Sequence, residues 1–274
     1  MSSAERLEPD RVTVRPLGSW ADFDACVELQ KLTWGPQFTE CVPASILMIS
    51  LKVGGVGAGA FDPAGAMLGF VWGLTGLRHG QLAHWSHMLA VREEAQNLGL
   101  GQRLKALQRT LLLELGVERM YWTYDPLVAK NAHLNLNRLG VEVEEYVPDL
   151  YRSDTASDLH SGLGTDRFIV RWDLRRTPAA GAAPIGSEAL PVTNPDGNPT
   201  DLPDLPAVRV AIPTDIMAVK AASHAVGMAW RRSTRQAFLH YLGRGYRVEA
   251  FHRDPTANRC YYVVRRASEE RPAA

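Results

Sequence analysis

The chain has 274 residues, of which 46% are hydrophobic, and its 30 Lys+Arg balance its 30 Asp+Glu to a formal net charge of zero. That is enough apolar material to bury a sizeable core, in a length between one compact domain and two full ones. The balance of charge excludes a general attraction to nucleic acid or to an anionic membrane and leaves room only for local patches.

The opening MSSAERLEPD has no apolar signal-peptide core, and no run of about 18 apolar residues follows anywhere. A cytoplasmic protein without membrane contact is expected. Cys26, Cys41 and Cys260 are too widely spaced for a CxxC or zinc pattern, so they read as reduced thiols, and no metal is expected.

VTVRPL (12–17) alternates like a strand. Ser19 then suits the N-cap of a helix over 20–33, with Phe23, Val27 and Leu32 facing inward. Pro43 fits the first turn of a second helix, SILMISLKV. Two strands follow, 56–61 and 66–77, joined by the turn signal DPAG. A third strand covers 84–91. Beyond it Leu100, Leu104, Leu107, Leu111 and Leu115 recur at helical spacing, and Gly116 suits the helix end.

RMYWTY (119–124) reads as a strand, and a helix from Pro126 to Gly140 follows. VEVEEYV and DRFIVRWDL are two more strands, separated by a polar loop over 148–165. Residues 175–206 are rich in Pro, Ala and Gly and read as a linker or a surface-hugging loop. A strand at 207–212, a helix over 214–243 and the strands YRVEAFHR and CYYVVRR complete the chain. The order helix end, glycine, strand, strand occurs in both LNRLGVEVEEY…DRFIVRW and LGRGYRVEAFHR…RCYYVVRR, a faint internal echo. The division expected is 11–174, 175–206 and 207–266.

The stretch REEAQNLGLGQRLKALQRTLL sets Gly99 and Gly101 where an amphipathic helix begins. Glycine costs a helix interior about 1 kcal/mol, so this turn needs bare backbone. A strand–glycine loop–helix junction is a good anion site, because the first free N–H groups and the helix dipole face the ligand. The Gly-x4-Gly-Lys-Ser/Thr pattern is absent, and a Gly-x-Gly-x-x-Gly fingerprint fails at Leu104. Gln96-Asn97-Leu98-Gly99-Leu100-Gly101 fits a third type, Gln/Arg-x-x-Gly-x-Gly/Ala.

That hexapeptide, with the order of elements from about 11 to 173, resembles the coenzyme A loop and layout of the GNAT acyltransferase superfamily. The resemblance implies an α/β (α+β) fold: a central mixed, mostly antiparallel sheet flanked by helices, here with a C-terminal βαββ unit. It implies coenzyme A as cosubstrate, its pyrophosphate held by Gln96, Asn97, Leu98, Gly99, Leu100, Gly101 and Gln102 through backbone N–H groups from 97 to 102. Leu89 and Val91 would offer backbone to the pantetheine arm. Lys105 or Arg109 would reach further phosphates, or else belong to a solvated helix face. YWTYDPL, NAHLNLNRLG, AWRRSTRQAF and GYRV resemble a narrower branch, associated with N-acylamino acid racemase chemistry and with N-succinylation of amino acids.

Acyl transfer to an amine needs proton removal, stabilisation of the thioester oxygen and a proton for the leaving thiolate. Related enzymes carry a helix tyrosine for the last task. Here that place is Leu136, between Asn135 and Asn137, so Tyr151 is the substitute acid. Period-two alternation puts Trp85, His87, Leu89 and Val91 on one strand face and His84 and Ser86 on the other. His87, titrating near neutrality, is then the candidate base. Asp125 and Asn131 flank the next helix; they would contact pantetheine amides or the acceptor's ammonium, with Asp125 as a helix N-cap the alternative. A succinyl carboxylate would want an arginine fork, from Arg152, Arg171, Arg231 or Arg235.

The function expected is therefore transfer of an acetyl or succinyl group from coenzyme A to a small amine, an amino acid foremost. The alternatives are a protein N-acetyltransferase and a non-catalytic coenzyme A module. A homodimer is the expected assembly.

Overall fold

The computed structural model describes residues 8–151, 162–176, 189–198 and 201–267. It is a mixed α/β protein whose large sheet is mostly antiparallel and flanked by helices. The described residues form two compact units, 8–122 with 173–176, and 123–151 with 162–172, 189–198 and 201–267.

In the first unit the strands are β1 (Thr13–Pro16), β2 (Val56–Phe61), β3 (Met67–Arg78), β4 (Gln81–Val91) and β5 (Arg119–Tyr124), the last two residues of β5 belonging to the second unit. β1 to β4 pair in chain order, all antiparallel, and β5 joins β4 in parallel. Helices α1 (Trp20–Trp34) and α2 (Ala44–Lys52) pack over one face with Phe70, Trp72, Met88 and Ala90. Helix α3 (Leu100–Glu114) covers the other with Val71, Leu89 and Val91.

Ser19 caps α1 as expected, in a capping box with Asp22. The inward residues of that helix are Phe23, Cys26, Leu29 and Gln30, with Val27 partly buried. Leu32 is 65% exposed, so the expected inward stripe does not extend to it.

Helix α3 also differs from its leucine stripe. Its buried residues are Leu100, Leu104, Lys105, Gln108 and Leu112, while Leu115 is 51% exposed. The buried face is rotated roughly 60° from the leucine face. Two polar residues occupy its centre, and apolar periodicity does not register them.

β4 carries a bulge. Met88 pairs with Trp72 and Ser86 with Gly73, leaving His87 without a partner on β3. One extra residue reverses the alternation. Leu89 and Val91 face α3 on one side of the bulge, and Ser86 and His84 face it on the other. The expected common face for His87, Leu89 and Val91 is therefore corrected: the His87 ring turns to Trp72, 5.9 Å away, on the side of the sheet where α1 and α2 pack. Gly73 accommodates the bulge, because a Cβ there would meet Trp85 O at 2.3 Å and His84 Nε2 at 2.4 Å. G73A is expected to cost about 3 kcal/mol, read as a lower urea midpoint at unchanged m-value.

The second unit begins at Thr123. Helix α4 is short (Ala129–Ala132) and continues as a π-helix over His133–Arg138, in place of the regular helix expected from Pro126. β6 (Glu142–Val147) pairs antiparallel with β7 (Arg167–Asp173). A second sheet has the order β8 (Ala207–Pro213), β10 (Arg259–Arg266), β9 (Tyr246–Asp254). The single helix expected over 214–243 is two, α5 (Ile216–Ala222) and α6 (His224–Leu242). Ser223 lies between them in extended backbone, and its hydroxyl caps α6.

An aromatic cluster forms this unit's core, with Phe168–Phe238 centroids 4.7 Å apart and Phe251–Tyr262 4.9 Å. Residues 189–198 run against β8, where Asn194 brackets the Ala211 peptide with bonds of 2.7 and 3.0 Å. Both members of the internal echo enter their strand pair through a left-handed glycine, Gly140 (φ 64°) and Gly245 (φ 79°).

Candidate active site

The turn between β4 and α3 is the most specific local geometry. Residues 93–95 make one 3-10 turn, and the chain then extends at Gln96. Asn97 and Gly99 both take left-handed backbone, φ 67° and 71°. The first helical bond here runs from the Arg103 N–H to the Gly99 carbonyl. Among the described residues, none of the six backbone N–H groups from Asn97 to Gln102 has a hydrogen-bond partner. A row of free donors at the start of a 15-residue helix is a cradle for an anion.

The two glycines meet different demands. Gly99 has open space around it but needs its positive φ, whereas a Cβ on Gly101 would touch only Leu89 Cδ2, at 3.8 Å. G99A is expected to lose about 1–2 kcal/mol of stability. G101A is expected to stay within about 0.5 kcal/mol of wild type. Thermal unfolding of both variants separates the two.

β4 and β5 are paired only at His84–Met120 and Trp85–Tyr121. From Ser86 to Val91, including Leu89 and Val91, β4 has ladder partners on β3, His87 excepted, but none on β5. The two strands part at the bulge.

His87 is exposed, yet the protein packed around it desolvates the ring and lowers its pKa, with Glu40 acting in the opposite direction.

Neither cation expected near further phosphates is placed for that. Arg109 donates through Nε to the Leu174 carbonyl, 2.7 Å away. Lys105 is 2% exposed and turned inward, so the solvated-face alternative fails as well. Its amine donates to Ser86 Oγ at 2.7 Å and lies 3.4 Å from Gln108 Oε1, 3.7 Å from Met120 Sδ and 4.0 Å from the Trp122 ring centre. Burial pushes its pKa down to about 7. The Ser86 hydroxyl in turn donates to Gln108 Oε1 at 2.9 Å. The Gln108 amide faces His84 Nε2 at 3.0 Å, and His84 Nδ1 faces Thr75 Oγ1 at 2.9 Å. With the amide donating, His84 is neutral and carries its proton on Nδ1. Burial, reinforced by Lys105, pushes the His84 pKa down to about 3. Sequence reasoning missed this network, because a Lys and a Gln four positions or fewer from leucines read as ordinary helix surface.

The remaining candidates belong to the second unit. Tyr151 Oη and Thr123 Oγ1 are hydrogen-bonded at 3.0 Å, and the Arg167 guanidinium lies 5.3 Å from the Tyr151 ring centre. Asn131 is exposed just before the π-helical segment.

Asp125 is an ion-pair centre rather than a helix N-cap. Arg231 binds both its oxygens, at 3.0 and 2.5 Å, and Arg167 lies 3.7 Å from one of them. Its Oδ1 also accepts the Leu127 N–H at 2.9 Å, closing a turn ahead of α4. Arg235 binds Asp166, which Tyr146 also reaches, and Asp149. Arg171 bonds to Glu142 and Glu144. These three arginines thus already face protein carboxylates, and Arg152 lies outside the described residues.

No described helix is long and apolar enough to cross a membrane. Among the described residues no group of three His, Cys, Asp or Glu could hold a metal ion.

No family model matches the sequence, and no curated protein matches it either. Solved structures do resemble the chain. The ribosomal-protein-S18-alanine N-acetyltransferase of Escherichia coli is 16% identical, aligned over 61% of this chain and 96% of its own, with a TM-score of 0.46. Ard1 from Thermoplasma volcanium is 14% identical over 61% and 99%, with a TM-score of 0.47. The IAA acetyltransferase of Bacillus cereus is 14% identical over 59% and 99%, with a TM-score of 0.45.

Proposed function

We propose that the chain is a GNAT-type acyltransferase that moves an acetyl or succinyl group from coenzyme A to the amine of a small molecule, an amino acid foremost. The observation that carries this reading is the row of six unpartnered N–H groups from Asn97 to Gln102, set in a Gln-x-x-Gly-x-Gly turn. Coenzyme A brings a pyrophosphate for that row and an activated thioester. The unpaired β4 edge from Ser86 to Val91 supports the same reading, since an extended pantetheine amide needs free strand backbone.

His87 is the base in this proposal. An imidazole whose pKa is lowered stays neutral at pH 7 and is free to take a proton from an ammonium. Tyr151 is the acid, with Thr123 orienting its phenol. Asn131 offers an amide to substrate. Asp125 acts through Arg231, because that fork takes up both its oxygens. The acyl group stays open between acetyl and succinyl, as the described candidate arginines already bind protein carboxylates.

The test is free-thiol release from succinyl-CoA and acetyl-CoA, each with pools of D- and L-amino acids and a no-acceptor control. Acceptor-dependent release with one donor is expected, and it identifies the acyl group. Release at the control rate with every pool removes the small-amine reading and turns attention to protein amines or to a binding role.

A further inference from the structure

Lys105 is a buried amine for which no described carboxylate supplies a countercharge. The groups that face it are Ser86 from β4, Gln108 from its own helix, and Met120 and Trp122 from β5; His84, reached through Gln108, is the titratable one nearby. An apolar side chain of the same length would fill this space at less cost, since burying an unpaired ammonium is unfavourable. The position therefore calls for an explanation beyond packing.

Its location supplies one. Ser86 is the last paired residue before the His87 bulge, and Met120 lies on the short stretch where β5 still pairs with β4. The amine thus sits where the two strands begin to part, with donors to a β4 hydroxyl and a β5 thioether. The hydroxyl it binds belongs to the residue next to the proposed base.

We propose that Lys105 is a positioning residue for acyl transfer: through Ser86 it fixes the β4 backbone at the strand fork and so aims His87. The inference rests on the proposed function for its kinetic consequence, though the structural tie stands without it. Lys105 touches no reacting atom in this scheme. A methionine at 105 keeps the length and apolar stem and removes the donor. S86A removes the acceptor, whereas S86T keeps a hydroxyl.

The experiment compares wild type with K105M, S86A and S86T by three readouts. Calorimetry gives the Kd for coenzyme A, steady-state kinetics give kcat and KM separately, and NMR titration of the His87 ring gives its pKa without any turnover. The expected result for K105M and S86A is a kcat lower by about tenfold or more, with KM for acyl-CoA and the coenzyme A Kd within twofold of wild type. The His87 titration and the acid limb of the kcat profile should move together. S86T should retain most of the wild-type kcat.

A K105M protein with wild-type kcat and an unmoved His87 titration overturns the proposal and leaves Lys105 as packing. If wild type neither binds coenzyme A nor transfers acyl groups, the acyltransferase reading fails instead. The His87 titration then still decides the tie: a moved titration in K105M and S86A keeps it, and an unmoved one ends it.

Discussion

D125A is expected to unfold at a markedly lower denaturant concentration than wild type, with a loss of about 3–5 kcal/mol. The side chain of Arg231 is 3% exposed and that of Arg167 is 5% exposed, and both lie against Asp125. Removing it leaves two guanidiniums buried without that countercharge, and the turn bond to the Leu127 N–H goes with it. The cost comes mostly from the buried Arg231 charge that loses its fork, not from the value of the pair itself. A D125L/R231M protein is therefore expected to recover a large part of the loss, as apolar replacements of buried ion pairs commonly do. Urea unfolding of wild type, D125L, R231M and the double variant closes the cycle. A double variant as unstable as the sum of the singles would show that the turn geometry, and not the buried charge, dominates.

The second large effect is on pH. Lys105 has a folded-state pKa of about 7, well under the value of about 10.4 expected in the unfolded chain. Between those values the unfolded state binds more protons, so stability rises with pH across that window. Below pH 7 the full cost of a buried ammonium is present. K105M removes the group, so it is expected to be more stable than wild type at pH 6.5, by on the order of a few kcal/mol. The gap should narrow as pH rises toward 10. Burial also raises the thiol pKa of Cys26, Cys41 and Cys260, which acts in the opposite direction once unfolded thiols ionise above about pH 8.5. The difference between variant and wild type cancels that background, and it is the quantity to plot. A constant difference from pH 6 to 10 would mean that Lys105 stays charged throughout.

Much of the fold was legible where one signal dominated. Ser19 as N-cap marks a helix start, and the DPAG turn separates two runs rich in apolar and small residues. The Gln96–Gly101 turn was legible because its glycines answer a backbone demand that the structure displays as positive φ and free N–H groups. Where two signals competed, the reading slipped. Five leucines outvoted Lys105 and Gln108 for the inner face of α3, because hydrophobicity cannot register a buried polar network that satisfies itself. The break at Ser223 was hidden in a run otherwise suited to one helix. Asp125 read as a cap from its neighbour Pro126, while the arginine that engages it lies 106 positions away. Nothing local announces a partner at that separation, nor the His87 bulge, which is set by pairing with another strand.

That bulge divides β4 into two pieces with opposite parity. Positions 84 and 86 on one side, and 89 and 91 on the other, look toward α3. Any strand-by-strand alignment of this chain with another must therefore be allowed a one-residue gap at His87. Without it, a relative that lacks the extra residue would have half its strand matched inside out.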